Sequence, residues 1–458
     1  MGPLDLLASN LLAARQQMAF TLGFHIVLAS MGVAFPAITL IAHYRGIRGD
    51  EVALGLARRW SKVMAVLFAV GVVTGTVLSF ELGILWPGLM DRFGDVFGLQ
   101  FAIEGIFFFT EAIFVSIYLL GWDRLPPRLH LLSGLPIVVA GLGGAWAVVT
   151  VNAWMNTPTG YTLGPDGQIV DVDPWAVMTN DAMLYEVVHM ILAAYIVAGF
   201  LVASVYAVGM LKGRRDRHHR VGFLIPFTVA AIVTPIQLIV GDTVARQIAS
   251  DQPIKFAAQE LVLETGDHVP ETLGGLLVDD EVRFGVDIPD LASILVGGSP
   301  DTEIVGLDTV PPDDRPPVNI VHLAFDVMVG AGTALALLAA WFGLAWWRRR
   351  DLPRSRWFLR AASMAGLAAL AALWSGWVVT EVGRQPWIVY EVMRTEEAVT
   401  DADGLWFMFA AVVALYAALA AAAIWVLRLM AARWRSETAP DPAGVPYERH
   451  PRDRRARL

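Results

Sequence analysis

A short set of ionisable side chains interrupts otherwise apolar stretches of this chain: His25, Glu81, Glu104, Glu111, Glu186, His189, Asp242, His322, Asp326 and Glu381, with Met328 beside them. Ionisable groups in such surroundings are costly and are functional candidates by default. The chain has no cysteine, which removes disulfides, thiolate metal sites, iron–sulfur clusters and cysteine nucleophiles together. Histidine and methionine are standard axial ligands of haem iron. A His/Met pair gives a six-coordinate electron-transfer centre, and a single His or a lone carboxylate leaves a position open for oxygen chemistry. Glu104 and Glu111 are seven residues apart, which puts both on one helix face about 10 Å from each other. Each residue also has a plainer reading. An intramembrane histidine often makes only an interhelical hydrogen bond, and a methionine in an apolar helix is usually filler. Glu186 and His322 stand near the starts of their apolar stretches and are read as interfacial, outside the site. Asp242 is read as a cap or loop-lining residue.

The elements that must position these groups are membrane helices. Of the 458 residues, 56% are hydrophobic and 17% charged, against about 45–50% and about 25% in soluble domains. That excludes a soluble multi-domain enzyme. Nine segments are long and apolar enough to span a bilayer, at about 17–43, 60–86, 98–121, 131–153, 184–211, 221–245, 319–347, 359–381 and 404–431. The fold expected is an all-α polytopic membrane protein of about nine transmembrane helices. Arg45, Arg48, Arg58, Arg59 and Lys62 lie between spans 1 and 2. Arg124 and Arg128 lie between spans 3 and 4, and Lys212 through Arg220 between spans 5 and 6. Arg348 through Arg360 lie between spans 7 and 8, and more arginines follow span 9. The intervening loops are poor in cations. The positive-inside rule therefore places the N-terminus outside and the C-terminus inside. The net charge of −9 resolves into basic inner loops and an acidic outer loop at about 246–318. The organisation expected is spans 1–6 in residues 1–245, that loop in 246–318, spans 7–9 in 319–431 and a basic cytoplasmic tail in 432–458. No internal repeat is evident, which argues against the inverted-repeat transporters.

Depth narrows the set. With this orientation His25, His189, Met328 and Glu381 come from four different helices and share the outer leaflet. Periodicity and depth leave a haem site, an ion-coupled transport site and simple interhelical bonding all open.

Four motifs in order carry a resemblance. They are Gly376-Trp377 with Glu381 and Gly383-Arg384-Gln385-Pro386-Trp387; Ala102-Ile103-Glu104-Gly105 with Gly121-Trp122-Asp123-Arg124; Asn152-Ala153-Trp154-Met155-Asn156-Thr157-Pro158; and Gly241-Asp242 with Gln252-Pro253, Lys255, Ala257-Ala258 and Glu260. The sequence resembles subunit I of the cytochrome bd-type quinol oxidases, across essentially the whole span array. The resemblance implies a quinol:oxygen oxidoreductase in the bacterial cytoplasmic (inner) membrane. It implies His189 and Met328 as axial ligands of a low-spin haem b. It implies His25 and Glu381 as ligands of two high-spin haems, one a haem b and the other a haem d or a third haem b, with His25 favoured for the oxygen-reactive one. Glu104 and Glu111 match acids that handle protons, Trp377 and Arg384 match neighbours of the haem cluster, and Lys255 and Glu260 match the quinol-oxidising face of the outer loop, the Q-loop, here of the short class. On chemical grounds Glu260 is read as the acceptor of a quinol proton and Lys255 as favouring the developing anion.

The implied partners are quinol, oxygen, the lipid bilayer, a second large membrane subunit and a small single-span subunit; no nucleic-acid partner is expected. Protons for water are expected from the cytoplasm, which makes the reaction electrogenic without pumping. Two departures stand out. The family's acid near the end of span 2 is shifted by two places to Glu81, within Ser79-Phe80-Glu81-Leu82-Gly83, which should turn it to another helix face. Asp326 stands where some members carry a basic residue. Two other classes fit the residues less fully: a membrane b-type cytochrome of a quinol dehydrogenase holding only the His189/Met328 haem, and an ion-coupled transporter.

Overall fold

The computed structural model describes residues 3–165, 167–353 and 355–436. Among them nine helices are long and apolar enough to cross a membrane. Span 1 is Pro3–Ile47, span 2 Glu51–Leu85 and span 3 Pro87–Gly121. Span 4 is Leu135–Asn156, entered through the short helix Pro127–Ser133. Span 5 is Met183–Leu211, span 6 Arg217–Asp251 and span 7 Val318–Arg349. Span 8 is Arg356–Val382 and span 9 Leu405–Ser436. Most of these helices outrun the apolar segments read from sequence, because polar end turns continue the helix beyond the stretch that hydrophobicity can detect. Their starts are fixed by ordinary capping. Asp50 accepts from the Ala53 amide at 3.1 Å, Asp216 from His219 at 3.0 Å and Ser355 from Trp357 at 3.2 Å. Pro87 opens span 3, where a missing amide hydrogen costs nothing.

The cation-rich loops meet at one end of the bundle. Asp50, between spans 1 and 2, pairs with Arg45 at 2.9 Å and with Arg217 of span 6 at 3.1 Å. Arg58 reaches Asp123 after span 3 at 2.9 Å, and Arg220 reaches Asp351 between spans 7 and 8. The expected basic tail, beyond residue 436, lies outside the described residues.

The opposite end carries the folded loops. A hairpin of Tyr161–Leu163 with Ile169–Val172 follows span 4, and one of Trp387–Val389 with Met393–Arg394 follows span 8. Both join Phe93, Phe97 and Trp154 in one buried cluster. The segment after span 6 reads as an acidic, Pro/Gly-rich loop, yet it is largely structured. Helix Pro253–Glu260 ends at Leu261 in the left-handed region (φ 56°). Strands Glu271–Leu273 and Val286–Ile288 pair antiparallel, as do Leu276–Val278 and Glu281–Arg283, and helix Leu291–Gly297 follows. Phe256, Leu261, Val262, Ile304 and Leu307 give this loop a core of its own, closed against Val321 of span 7. The apolar stretches within the loop supply that core.

Two apolar clusters hold the bundle. Phe200, Phe223, Phe227, Phe342 and Phe358 lock spans 5 to 8, and Phe35, Ile38, Leu56 and Trp60 lock spans 1 and 2. Spans 3 and 9 turn large side chains outward, among them Ile106, Phe109 and Phe407.

Candidate functional site

One cavity of about 380 Å³ lies between spans 5, 6, 7 and 8, beneath the long loop. That size is typical of small-molecule and cofactor pockets. Its walls include His189 from span 5, Met328 from span 7 and Trp377 from span 8, and at the loop end Lys255, Glu260 and Glu271. His189 Nδ1 is buried with no hydrogen-bond partner among the described residues. Gly376 keeps Met328 clear: a β-carbon there would lie 3.1 Å from Met328 Sδ, whereas one at position 241 would make only an ordinary contact, 3.6 Å from His189 Cε1. An imidazole and a soft thioether lining one cavity with largely apolar walls are the donor set a six-coordinate haem requires. No three His, Asp or Glu side chains among the described residues converge as a cage for a bare metal ion.

The sequence motifs converge at the loop end. Glu381 accepts from Asn152 Nδ2 at 2.5 Å and from Arg384 Nη2 at 2.8 Å. Arg384, 2% exposed, donates its other terminal nitrogen to Asn156 Oδ1 at 3.0 Å. Asn156 donates to Glu186 Oε1 at 2.7 Å and accepts from Gln252 at 3.4 Å. Lys255 Nζ, also buried, donates to Gln252 Oε1 at 3.0 Å. A continuous polar chain therefore runs from Glu381 to Lys255. Burial pushes the Lys255 ammonium down to about 8, with the Glu186 carboxylate opposing the shift. Glu186 is thus not the interfacial residue its sequence position suggests. It lies one turn before His189, at i, i+3, and that spacing puts both on one face.

Lys255 and Glu260 line the same cavity but turn to different partners. Glu260, 4% exposed, is hydrogen-bonded to the Glu271 carboxyl of the loop hairpin. His322 is fully buried: Nδ1 lies 2.7 Å from the Gln259 carbonyl and Nε2 2.9 Å from that of Gly274. Asp326 accepts from the Gly274 amide at 2.7 Å, so its carboxylate faces the loop hairpin. Asp242 pairs with Arg246 at 2.9 Å, and Arg246 donates to the Val296 carbonyl, which ties span 6 to helix Leu291–Gly297.

His25 and the two span-3 acids lie outside the lining of this cavity. His25 Nδ1 is 2.9 Å from Thr74 Oγ1, and Tyr416 of span 9 donates to the Thr74 carbonyl at 3.1 Å. A β-carbon at position 75 would lie 2.9 Å from His25 Cε1, so Gly75 makes room for the ring. Trp374 donates to the Gly23 carbonyl at 2.7 Å and joins span 8 to span 1. Glu111 reaches span 1 at Gly32, and Glu104 lies two turns earlier on span 3. Glu81, 3% exposed, accepts from Gln17 at 2.7 Å and Thr21 at 2.5 Å. The shifted acid therefore faces span 1.

Comparison with known proteins fits this arrangement. The family model described as cytochrome bd terminal oxidase subunit I matches residues 13–434. The chain belongs to that family. A Bacillus subtilis (strain 168) protein provisionally named cytochrome bd menaquinol oxidase subunit I is 35% identical over 429 residues, covering 91% of this chain and 96% of the relative. Cytochrome bd ubiquinol oxidase subunit 1 of the same organism is 30% identical over 436 residues, covering 91% and 92%. The bd oxidase structure from Geobacillus thermodenitrificans superposes with a TM-score of 0.88 at 37% identity, covering 93% of this chain and 98% of that one. In this bd oxidase subunit I, Gln252 and Lys255 of the fourth motif, Asn152 and Asn156 of the third, and Glu381 and Arg384 of the first share one hydrogen-bonded chain. The second motif, on span 3, stands apart from it.

Proposed function

We propose that this chain oxidises a membrane quinol in the cavity under its long loop and passes the electrons to haem for the reduction of oxygen to water. The observation that carries this reading is the shared cavity, with His189 and Met328 in its walls and Lys255 and Glu260 at its loop end. His189 and Met328 would hold a low-spin haem b. His25 and Glu381 would each hold one of two high-spin groups, a haem b and either a haem d or a third haem b. When bound, these groups supply one-electron transfer and the reduction of oxygen. The protein does the rest. Lys255, with an amine titrating near 8, favours the anion that develops as a quinol hydroxyl loses its proton. Glu260 accepts that proton. Arg384 and Asn152 hold Glu381 in one orientation, and Trp377 walls the cavity.

The loop end faces outward in this reading, with the N-terminus outside, the C-terminus inside and the cation-rich end in the cytoplasm of a bacterial cell. Residues 246–318 form the Q-loop between two helical blocks. Quinol protons leave outside and protons for water enter from inside, so charge crosses the membrane without a pump, at about 2.3 kcal/mol per charge per 100 mV. Glu111 and Glu104 lie on that inward route. The outward-facing side chains of spans 3 and 9 suit lipid or the family's second large subunit and a small single-span subunit.

The test is quinol-driven oxygen uptake by the purified complex, run beside Glu111→Gln. The variant is expected to slow turnover by about 10²-fold or more, as loss of a proton-transfer group does, and to keep full haem absorbance. Loss of haem absorbance would mark Glu111 as structural. Gly75→Ala tests His25 separately. The new methyl group displaces the imidazole, so the high-spin bands should weaken while the low-spin bands stay. Equal loss of both would contradict the separate placement of His25.

A further inference from the structure

The established family features do not account for Glu271. It lies in the first strand of the loop hairpin, beyond the end of the fourth motif at Glu260, yet its carboxyl turns back to meet that of Glu260. Two carboxyls in hydrogen-bond contact share a proton, because like charges that close do not both ionise. Glu260 is the buried member, at 4% exposed, and Glu271 is the partly exposed one. Next to Glu260, Gln259 is 1% exposed, lines the same cavity, and carries an amide oxygen with no partner among the described residues.

We propose that Glu271 is a positioning residue for quinol oxidation: it completes a one-proton carboxyl pair that takes each quinol proton at Glu260 and releases one outward at Glu271. This rests on the reading of the cavity as the quinol site. The pair rests with its proton on the more deeply buried Glu260, donated toward Glu271. In each transfer that proton shifts to Glu271, a quinol O–H bond breaks and the vacated Glu260 carboxylate gains the quinol proton, and Glu271 gives the first proton to water, so the pair holds one proton before and after. Two such transfers empty one quinol. Its two electrons go to the oxidase's own acceptors, with oxygen as terminal oxidant, and quinone remains.

The surroundings favour the pair. Burial, then the Glu271 and Asp326 carboxylates, push Glu260 well above the usual carboxylate range, and burial also raises Glu271. The groups facing them are Asp326 and His322 from span 7; Asp242 and Arg246 of span 6 and Lys255 line the same cavity.

Glu271→Gln, Glu271→Asp and Glu260→Gln are compared in the intact complex by quinol-driven oxygen uptake across pH. Glu271→Gln should lower kcat at least about tenfold with KM and haem absorbance unchanged. Removing the neighbouring carboxyl lowers the Glu260 pKa, so the acid limb of kcat/KM should move to lower pH. Glu271→Asp should recover most of the rate. A wild-type kcat and acid limb in Glu271→Gln, with Glu260→Gln impaired, would overturn the pair and leave the quinol site standing. A wild-type rate in Glu260→Gln would overturn the quinol site itself. If Glu271→Gln fails to assemble, the infrared spectrum of the wild-type complex decides. A protonated-carboxyl band at neutral pH that Glu260→Gln removes supports the pair, and its absence from the wild type overturns it.

Discussion

His189→Ala is expected to abolish quinol-driven oxygen uptake and to remove the low-spin haem bands from the spectrum. The imidazole has no alternative role to fall back on: its Nδ1 is buried and makes no hydrogen bond among the described residues. The loss should reach stability as well. A group that binds only the folded state stabilises it by about 2.7 kcal/mol when present at a hundredfold excess over its Kd, and that linkage vanishes with the ligand. The alanine also leaves a void, which lowers stability by another route. Met328→Leu separates the two effects. The swap nearly conserves volume and costs less than about 1.5 kcal/mol in packing, but it removes the sulfur donor. Met328→Leu should therefore assemble in the membrane and lose the same bands. A leucine variant with an unaltered low-spin spectrum would exclude Met328 as a ligand.

The second large effect is expected at Arg384. Its guanidinium joins Glu381 at 2.8 Å to Asn156 at 3.0 Å, and its side chain is 1% exposed. Arg384→Ala leaves the Glu381 carboxylate without its cation, held by Asn152 alone among the described side chains, and takes from Asn156 Oδ1 the closer of its two donors. Breaking a buried pair by removing one partner costs about 3–5 kcal/mol. The low end applies here, since the Glu381 side chain is 34% exposed and water can reach it. Arg384→Lys should fall between the wild type and Ala, because a lysine restores the charge but cannot reproduce the planar two-pronged contact. Thermal denaturation of the purified complex, followed by haem release, measures both. Equal midpoints for wild type and Arg384→Ala would show that the polar chain contributes nothing to stability.

Much of this was legible in the sequence for a physical reason: a bilayer admits few structures. Runs of apolar residues had to be helices, and ionisable residues within them were costly enough to stand out, as His25, His189 and Glu381 did. What stayed hidden depended on contacts between distant segments. Glu186 lies close to the start of its span, and only the arrival of Asn156 from span 4 turns it into part of a buried chain. Lys255 and Glu260 are close in sequence, but their partners come from spans 5 and 8 on one side and from the hairpin on the other. Glu271 sits in a segment whose composition reads as loop, and its role is set by strand pairing that places it over Glu260. The shifted acid Glu81 finds Gln17 and Thr21 on span 1, which no pattern within span 2 announces.

The most direct test of the central claim is a reduced-minus-oxidised absorbance spectrum of the purified complex, recorded with its quinol-driven oxygen uptake. If this chain holds one haem through His189 and Met328 and two more through His25 and Glu381, the spectrum carries low-spin b bands together with high-spin bands, and the complex consumes oxygen. A single low-spin b spectrum without oxygen uptake, or no Soret band at all, would contradict it.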